Sequence, residues 1–265
     1  MEPFPELVRQ FAIPLARKKR WRSFCEIGSR KGDSADVLLG LPGVSLTIVD
    51  PCLDADLVRR YSTDPRVTVH RAISLDALPL VTGPFDCILI DGDHNWYTVY
   101  NELRLIREQE LLRVGGMIFF HDVSWPYGRR DMYYQPELIP AGYRHAYERT
   151  VIVSGNSELG DREGSVSTVY NAIHEGGQRN GVLTAIEDFM KEYDGDYRFW
   201  RVRRLSGMGI MQYRNHAIGE EMAFIALVGK ALRYDSRAVF RRLAKSLRSQ
   251  REVALDKRES AANGA

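Results

Sequence analysis

Between Ser23 and Phe120 the chain repeats one pattern five times: a short apolar run closed by turn residues, with helical spacing after each of the first four. The runs are Ser23–Ile27, Ser45–Val49, Val67–His70, Cys87–Ile90 and Met117–Phe120. Helical stretches follow through Asp36 to Leu39, near Ala55–Tyr61, after Ser74, and over Tyr97–Leu112, the last ending near Gly115-Gly116. Strands that alternate with helices need crossover connections, and such connections cover both faces of a parallel sheet. The expected fold is α/β, a Rossmann-like, doubly wound and mostly parallel sheet.

The flanks are of different character. Residues 1–22 read as a helical leader interrupted by Pro14, and 23–215 as the main domain. Within it, 124–181 is rich in Gly, aromatic and charged residues with little periodicity. A loop that long in a compact domain is usually functional, so it reads as a segment covering the substrate. A helix over Val182–Tyr193 precedes two strand-like runs, Tyr197–Leu205 and Gly209–Tyr213, expected to form an antiparallel hairpin. Residues 216–265 read as a basic helical tail, with Val239, Leu243 and Leu247 in a stripe that needs a partner surface. Between Lys230 and Arg251 there are eight Lys/Arg against one acid. Either an anionic partner or a solvated face docked on its own domain or a dimer mate would explain this, and a homo-oligomer is expected.

Length and composition narrow the class. The 265 residues, with a formal net charge of +2, give no overall case for nucleic acid. No apolar run approaches the roughly 18 residues of a membrane span, and the opening MEPFPELVRQFAIPLARKKRWRSF carries its basic cluster too late for a secretory leader. A cytoplasmic location is expected. Cys25, Cys52 and Cys87 lack metal spacing and read as small hydrophobes in a reducing compartment.

Chemistry concentrates at the strand ends. FDCILIDGDHNWY places Asp91, Asp93 and His94 after the fourth strand, and VGGMIFFHDV places His121 and Asp122 after the fifth. Parallel neighbours deliver all of these to the carboxyl edge, where open α/β sheets hold ligands. After the first strand comes EIGSRKG, with Gly28 and Gly32 four apart and Glu26 ahead of them. This is not the GxGxxG of dinucleotide sites, and an acid there serves a pyrophosphate poorly but an ammonium well. Asp50 closes the second strand, where a carboxylate can accept ribose hydroxyls. Together these favour an adenosine cofactor with a cationic tail.

The set E-x-G-x-x-x-G, Asp50, Ser74, FDCILIDGDHNW and LLRVGGMIFFHDV resembles the class I S-adenosylmethionine-dependent methyltransferases over residues 20–125. It is most similar to small-molecule O-methyltransferases of the macrocin and sugar type (methyltransferase domain family 24), some of them metal dependent. WPYGRRDMYY and EGGQRNGVLTAIEDF resemble bacterial members found with glycan-modifying enzymes. The resemblance implies S-adenosylmethionine as cofactor. Glu26, Gly28 and Gly32 would line its methionine end with Ser29 and Ser34 near by, Asp50 would take the ribose, and Ser74 would lie near the adenine. Asp91 would border the cofactor and, with Asp122, hold Mg²⁺ or Mn²⁺. His121 stands where relatives have a carboxylate, which suits manganese better than magnesium.

Methyl transfer to a hydroxyl also needs a base, or a metal that acidifies the hydroxyl. Asp93, His94, His121 and His145 are available, Asp93 and His94 foremost. Asp93 could instead only cap the following helix. In 124–135, Trp125, Tyr127, Tyr133 and Tyr134 interleave with Arg129, Arg130 and Asp131. Those residues suit the CH faces and hydroxyls of a saccharide, or else the aromatics pack the loop onto the domain while Arg130 and Asp131 face solvent. Arg179 and Asn180 are weaker candidates for the same role. The expected activity is S-adenosylmethionine-dependent O-methylation of a saccharide or glycosylated small molecule. The alternatives are a nicotinamide oxidoreductase on the same fold, or a non-catalytic binding module using the basic tail.

Overall fold

The computed structural model describes residues 4–160, 166–202 and 207–213. The basic tail expected over 216–265 lies outside them, as do residues 203–206 of the expected hairpin. Five parallel strands carry the main sheet: β1 (Ser23–Ile27), β2 (Ser45–Val49), β3 (Val67–His70), β4 (Phe85–Ile90) and β5 (Leu112–Phe120). The antiparallel pair β9 (Tyr197–Val202) and β10 (Met208–Tyr213) completes it in the order β3-β2-β1-β4-β5-β10-β9. The crossovers run through α3 (Asp33–Leu39), α4 (Ala55–Ser62), α5 (Ser74–Ala77) and α6 (Trp96–Glu108). Strand order reverses between β1 and β4, the switch point at which such sheets leave a crevice.

Side chains alternate across the sheet. On one face Cys25, Ile27, Ile88, Ile90, Ile118 and Phe120 pack with Val99, Leu103 and Ile106 of α6 and with Ile186 and Phe189 of α7 (Val182–Glu192). The opposite face carries Phe24, Leu46, Ile48, Leu89 and Phe119, all buried. Trp21 meets Phe119 edge-on there, with ring centroids 6.5 Å apart, and the leader packs beside α3.

The leader is not interrupted at Pro14. It runs as α1 (Phe4–Leu7), a π-helical turn (Val8–Ala12) and α2 (Ile13–Lys19). Pro14 lacks an N–H and its ring crowds the carbonyl four residues back. The helix widens ahead of it, so that the Ile13 N–H reaches the Val8 carbonyl, a five-residue bond that keeps the rod continuous.

The largest differences from expectation lie at the junction of α6 and β5 and in the covering segment. The helix expected to reach Leu112 ends at Glu108, and β5 begins at Leu112; its pairing with β4 slips between Leu112 and Met117, across Gly115-Gly116, and is regular from Met117 onward. The covering segment, read as loop, holds a second sheet ordered β6-β8-β7, from β6 (Met132–Tyr133), β7 (Tyr147–Thr150) and β8 (Val166–Ala172). No helix among the described residues is long and apolar enough to cross a membrane. Cys25 and Cys87 are buried and Cys52 is exposed, all three as free thiols.

Candidate active site

Register aligns the ends of four strands. Ile27 pairs with Val49 and with Ile90, and Ile90 with Phe120. One residue further on, Asp50, Gly28, Asp91 and His121 stand in a row across the carboxyl edge, over the switch point. The sequence brought these four residues to one edge, and the register makes them neighbours.

The half around β1 and β2 is built by carboxylates on backbone. Asp50 is buried; its Oδ2 accepts the Ser29 and Arg30 N–H groups at 2.7 and 2.6 Å, and its Oδ1 that of Cys52 at 2.6 Å. Gly28 and Gly32 hold φ of +84° and +74°, left-handed backbone that suits glycine. A Cβ on Gly28 would fall 2.4 Å from the Asp91 carbonyl oxygen, so this turn touches the β4 loop with no room for a side chain. Glu26 is 1% exposed and accepts the Ser29 hydroxyl at 2.7 Å. Burial pushes its carboxyl up to about 8, the Ser29 and Ser34 hydroxyls pulling it back while the charges of Asp91 and Asp50 add to the rise. Among the described residues no cation pairs with it. Ser74 is buried at the start of α5.

The half around β4 and β5 is a carboxylate–imidazole cluster. His121 Nδ1 lies 3.0 Å from Asp91 Oδ1 and 3.5 Å from Asp122 Oδ2, and His94 Nδ1 lies 3.2 Å from the same Asp122 oxygen. Asp122 sits at φ +53°, uncommon for a residue with a side chain. Burial alone would pull the His121 imidazole down; the Asp122 and Asp91 carboxylates outweigh it and push it up to about 10. Burial would likewise raise Asp122, but His94 and His121 hold it below the usual carboxylate range. Asp93 is raised by burial, against His94, Thr98 and Asn95. Its Oδ2 accepts the Thr98 hydroxyl at 3.1 Å. The helix cap that Asp93 could have supplied comes from Asn95, whose Oδ1 accepts the Thr98 N–H at 2.8 Å.

These residues fit a divalent cation. Asp91, His121 and Asp122 each offer a donor atom within 4.8 Å of the others. Asp122 Oδ1, moreover, is buried with no hydrogen-bond partner. Such an orphaned oxygen is costly unless something binds it.

The covering segment divides the expected substrate residues. Tyr127 stacks on His94 with centroids 5.7 Å apart, and Tyr134 lies 6.4 Å from the same ring. Tyr134 and Trp125 keep 50% and 42% of their surface exposed, so all three aromatics suit a ligand face. Arg129 does not stay free for a ligand: both its terminal nitrogens bind Glu187 of α7 at 2.7 Å. Tyr133 is buried and donates its hydroxyl to Asp131. His145 bonds the Arg179 carbonyl through Nε2 at 2.9 Å, away from the cluster. Arg130 and Asp131 are fully buried rather than solvent-facing. Arg130 donates to the Ala172, Ile173 and Ser157 carbonyls, and Asp131 accepts from the Trp96 and Gly181 N–H groups. Asn180 donates to the His174 and Gly176 carbonyls and accepts the Asp131 N–H. Arg179 spreads its guanidinium over Trp96 and Tyr143.

Two residues near the site escaped the sequence reading. Glu102, fully buried on α6, is pushed up to about 8 by burial, with Ser74 pulling back and Asp93 adding; an acid within the apolar stripe of Val99, Leu103 and Ile106 was the available sign. Phe4, 2% exposed, lies with its ring centroid 5.1 Å from that of His121, a contact no local pattern announces.

Residues 25–123 match the family model described as a methyltransferase domain, a span from β1 through Asp122. No curated protein matches the chain. Among solved structures it is similar to the methyltransferase PaMTH1 of Podospora anserina bound to S-adenosylhomocysteine, with 15% identity, TM-score 0.48, and coverage of 77% of this chain and 76% of that one. The O-methyltransferase TomG of Streptomyces achromogenes, involved in tomaymycin synthesis and bound to S-adenosylmethionine, shows 15% identity, TM-score 0.49 and 81% coverage of each chain. An O-methyltransferase from Bacillus cereus with S-adenosylhomocysteine shows 16% identity, TM-score 0.46 and coverage of 76% and 77%.

Proposed function

We propose that this protein, which carries a methyltransferase domain over residues 25–123, is an S-adenosylmethionine-dependent O-methyltransferase acting on a saccharide or glycosylated small molecule. One observation carries the reading. The Glu26–Asp50 turn and the Asp91–Asp122 cluster meet backbone to backbone at Gly28, so a donor held by one faces an acceptor held by the other.

When bound, S-adenosylmethionine supplies an electrophilic methyl group whose leaving group is a neutral thioether. Glu26, buried and without a cation among the described residues, takes the cofactor's ammonium, and Asp50 fixes the turn that cradles it while offering its one remaining lone pair, on Oδ1, to a ribose hydroxyl. The acceptor hydroxyl must lose its proton during attack. His94 receives it, its ring held by Asp122 on one edge and by Tyr127 on one face. Asp93, raised by burial, is the second candidate. A divalent ion held by Asp91, His121 and Asp122 would acidify the hydroxyl. Trp125, Tyr127 and Tyr134 present ring faces to the CH faces of a sugar.

Calorimetry tests the donor half: S-adenosylhomocysteine should bind, and Asp50→Ala should weaken it at least about tenfold, since a hydrogen bond to a charged group contributes about 1.5–3 kcal/mol. Wild-type protein that binds neither cofactor form removes the reading. Labelled cofactor with a panel of sugars and oligosaccharides then identifies the acceptor. On that acceptor His94→Asn should lower kcat by about 10²–10⁴ with cofactor affinity unchanged. Chelation followed by Mn²⁺ or Mg²⁺ should abolish and restore turnover, and turnover indifferent to chelation would leave the cluster a metal-free role.

A further inference from the structure

We propose that Phe4, at the start of the leader helix, is the positioning residue that fixes the His121 imidazole. The inference rests on the reading of the Asp91–His121–Asp122 cluster given above. His121 is the first residue past β5, and its N–H still pairs with the Ile90 carbonyl, so alternation turns it to the side of Phe119. Trp21 of the leader's exit packs on Phe119, and Phe4 at the leader's start packs on His121, centroids 5.1 Å apart at 47°. The leader thus meets β5 at both of its ends.

The rest of the leader is made to hold that position. Leu7, Val8, Phe11, Ala12, Leu15 and Ala16 are all buried. The π-helical turn at Val8–Ala12 inserts one residue into the helix and so rotates Phe4 relative to the buried stripe of α2. Turns of this kind concentrate at functional sites. The two imidazoles of the cluster are braced by different parts of the chain: His94 by Tyr127 and Tyr134 of the covering segment, His121 by Phe4 of the leader. His121 Nδ1 faces two carboxylates, and a ring so placed gives a useful donor only in one orientation. Groups that orient a ligating histidine change metal affinity about 10–100-fold when removed.

The test uses the full chain with two separate probes, Mn²⁺ alone and S-adenosylhomocysteine alone, each titrated by calorimetry. Phe4→Ala should weaken Mn²⁺ binding about tenfold or more and leave S-adenosylhomocysteine within about twofold, because Glu26 and Asp50 lie on other strands. Phe4→Tyr, which keeps the ring, should return Mn²⁺ affinity to within a few-fold of wild type. Unchanged Mn²⁺ affinity in Phe4→Ala overturns the proposal. So does an equal loss of both probes in Phe4→Ala and Phe4→Tyr, which would make the leader a general fold element. If wild type takes up no Mn²⁺, the metal reading falls separately and the His121 ring-nitrogen shifts, which follow the imidazole's contacts with Asp91 and Asp122, decide. A large nitrogen shift in Phe4→Ala that Phe4→Tyr does not show, with His70 and His174 unmoved, supports positioning, and unchanged nitrogen shifts overturn it.

Discussion

Glu26 is a buried carboxyl that the proposed reading pairs with the cofactor's ammonium. Free of ligand, its folded pKa of about 8 against an ordinary 4.5 means the folded form holds the proton more tightly. Stability of the free protein therefore falls as pH rises from about 4.5 to 8, and Glu26→Gln should flatten that slope in thermal melts taken across the window. An ammonium placed against Glu26 reverses the balance and expels the proton. Cofactor binding near pH 7 should thus release close to one proton, seen as a buffer-dependent calorimetric enthalpy, and Glu26→Gln should abolish the dependence; equal enthalpies in wild type would refute the pairing. Residue type and strand-end position made Glu26, Asp50, Asp91 and Asp122 legible in the sequence. Direction did not follow from type. Arg129 and Tyr133 have the chemistry of ligand contacts, yet one reaches back to α7 and the other inward to Asp131. Side chains interleaved along an irregular segment carry no periodicity that says which way they face.

At the level of elements, Asp131 ties three of them together. Its carboxylate accepts the first N–H of α6, the N–H that precedes α7, and the Tyr133 hydroxyl of β6. Helix N-termini favour a negative charge, so one buried acid serves two helices. Asp131→Ala would orphan three buried donors at about 1–3 kcal/mol each. Hydrogen exchange should then show lost protection across β6, β7 and β8 while β1, β2 and β4 keep theirs; uniform loss would mean that the two sheets unfold as one. Elements of the main sheet were readable because short runs rich in apolar and β-branched residues, each closed by turn residues, alternate with helical stretches: β1, β2 and β3 fall where expected. The start of β5 was not, since the strand opens with a single pair, Leu112 to Phe85, ahead of the irregular Gly115-Gly116 stretch, and regular pairing resumes only at Met117. The covering sheet was missed for a related reason, as β6 is two residues long and its strands gain their shape only from one another.

At the scale of the described residues, the carboxyl edge is met by the leader at His121 and by the covering segment at His94. Because the donor turn and the β4 loop are locked together at Gly28, occupancy by S-adenosylhomocysteine should stabilise the main sheet as a unit. At 100 times its Kd the ligand adds about 2.7 kcal/mol, about 5–11 °C in Tm for a domain of this size, read as one cooperative shift. A split transition, with only the donor side shifted, would count against that coupling. Another feature reaches further. The covering segment leaves after β5 and returns at α7, and its two ends are stitched to each other: the Val182 and Leu183 N–H groups donate to the Tyr127 and Gly128 carbonyls at 3.0 Å. Beyond this closed neck the segment is fastened a second time, to the loop between β4 and α6: the Met132 N–H donates to the His94 carbonyl, and Asp131 accepts the Trp96 N–H. A change of length beyond β6 leaves both fastenings and the row of Asp50, Gly28, Asp91 and His121 in place, whereas a change between Tyr127 and Tyr133 reaches His94 itself.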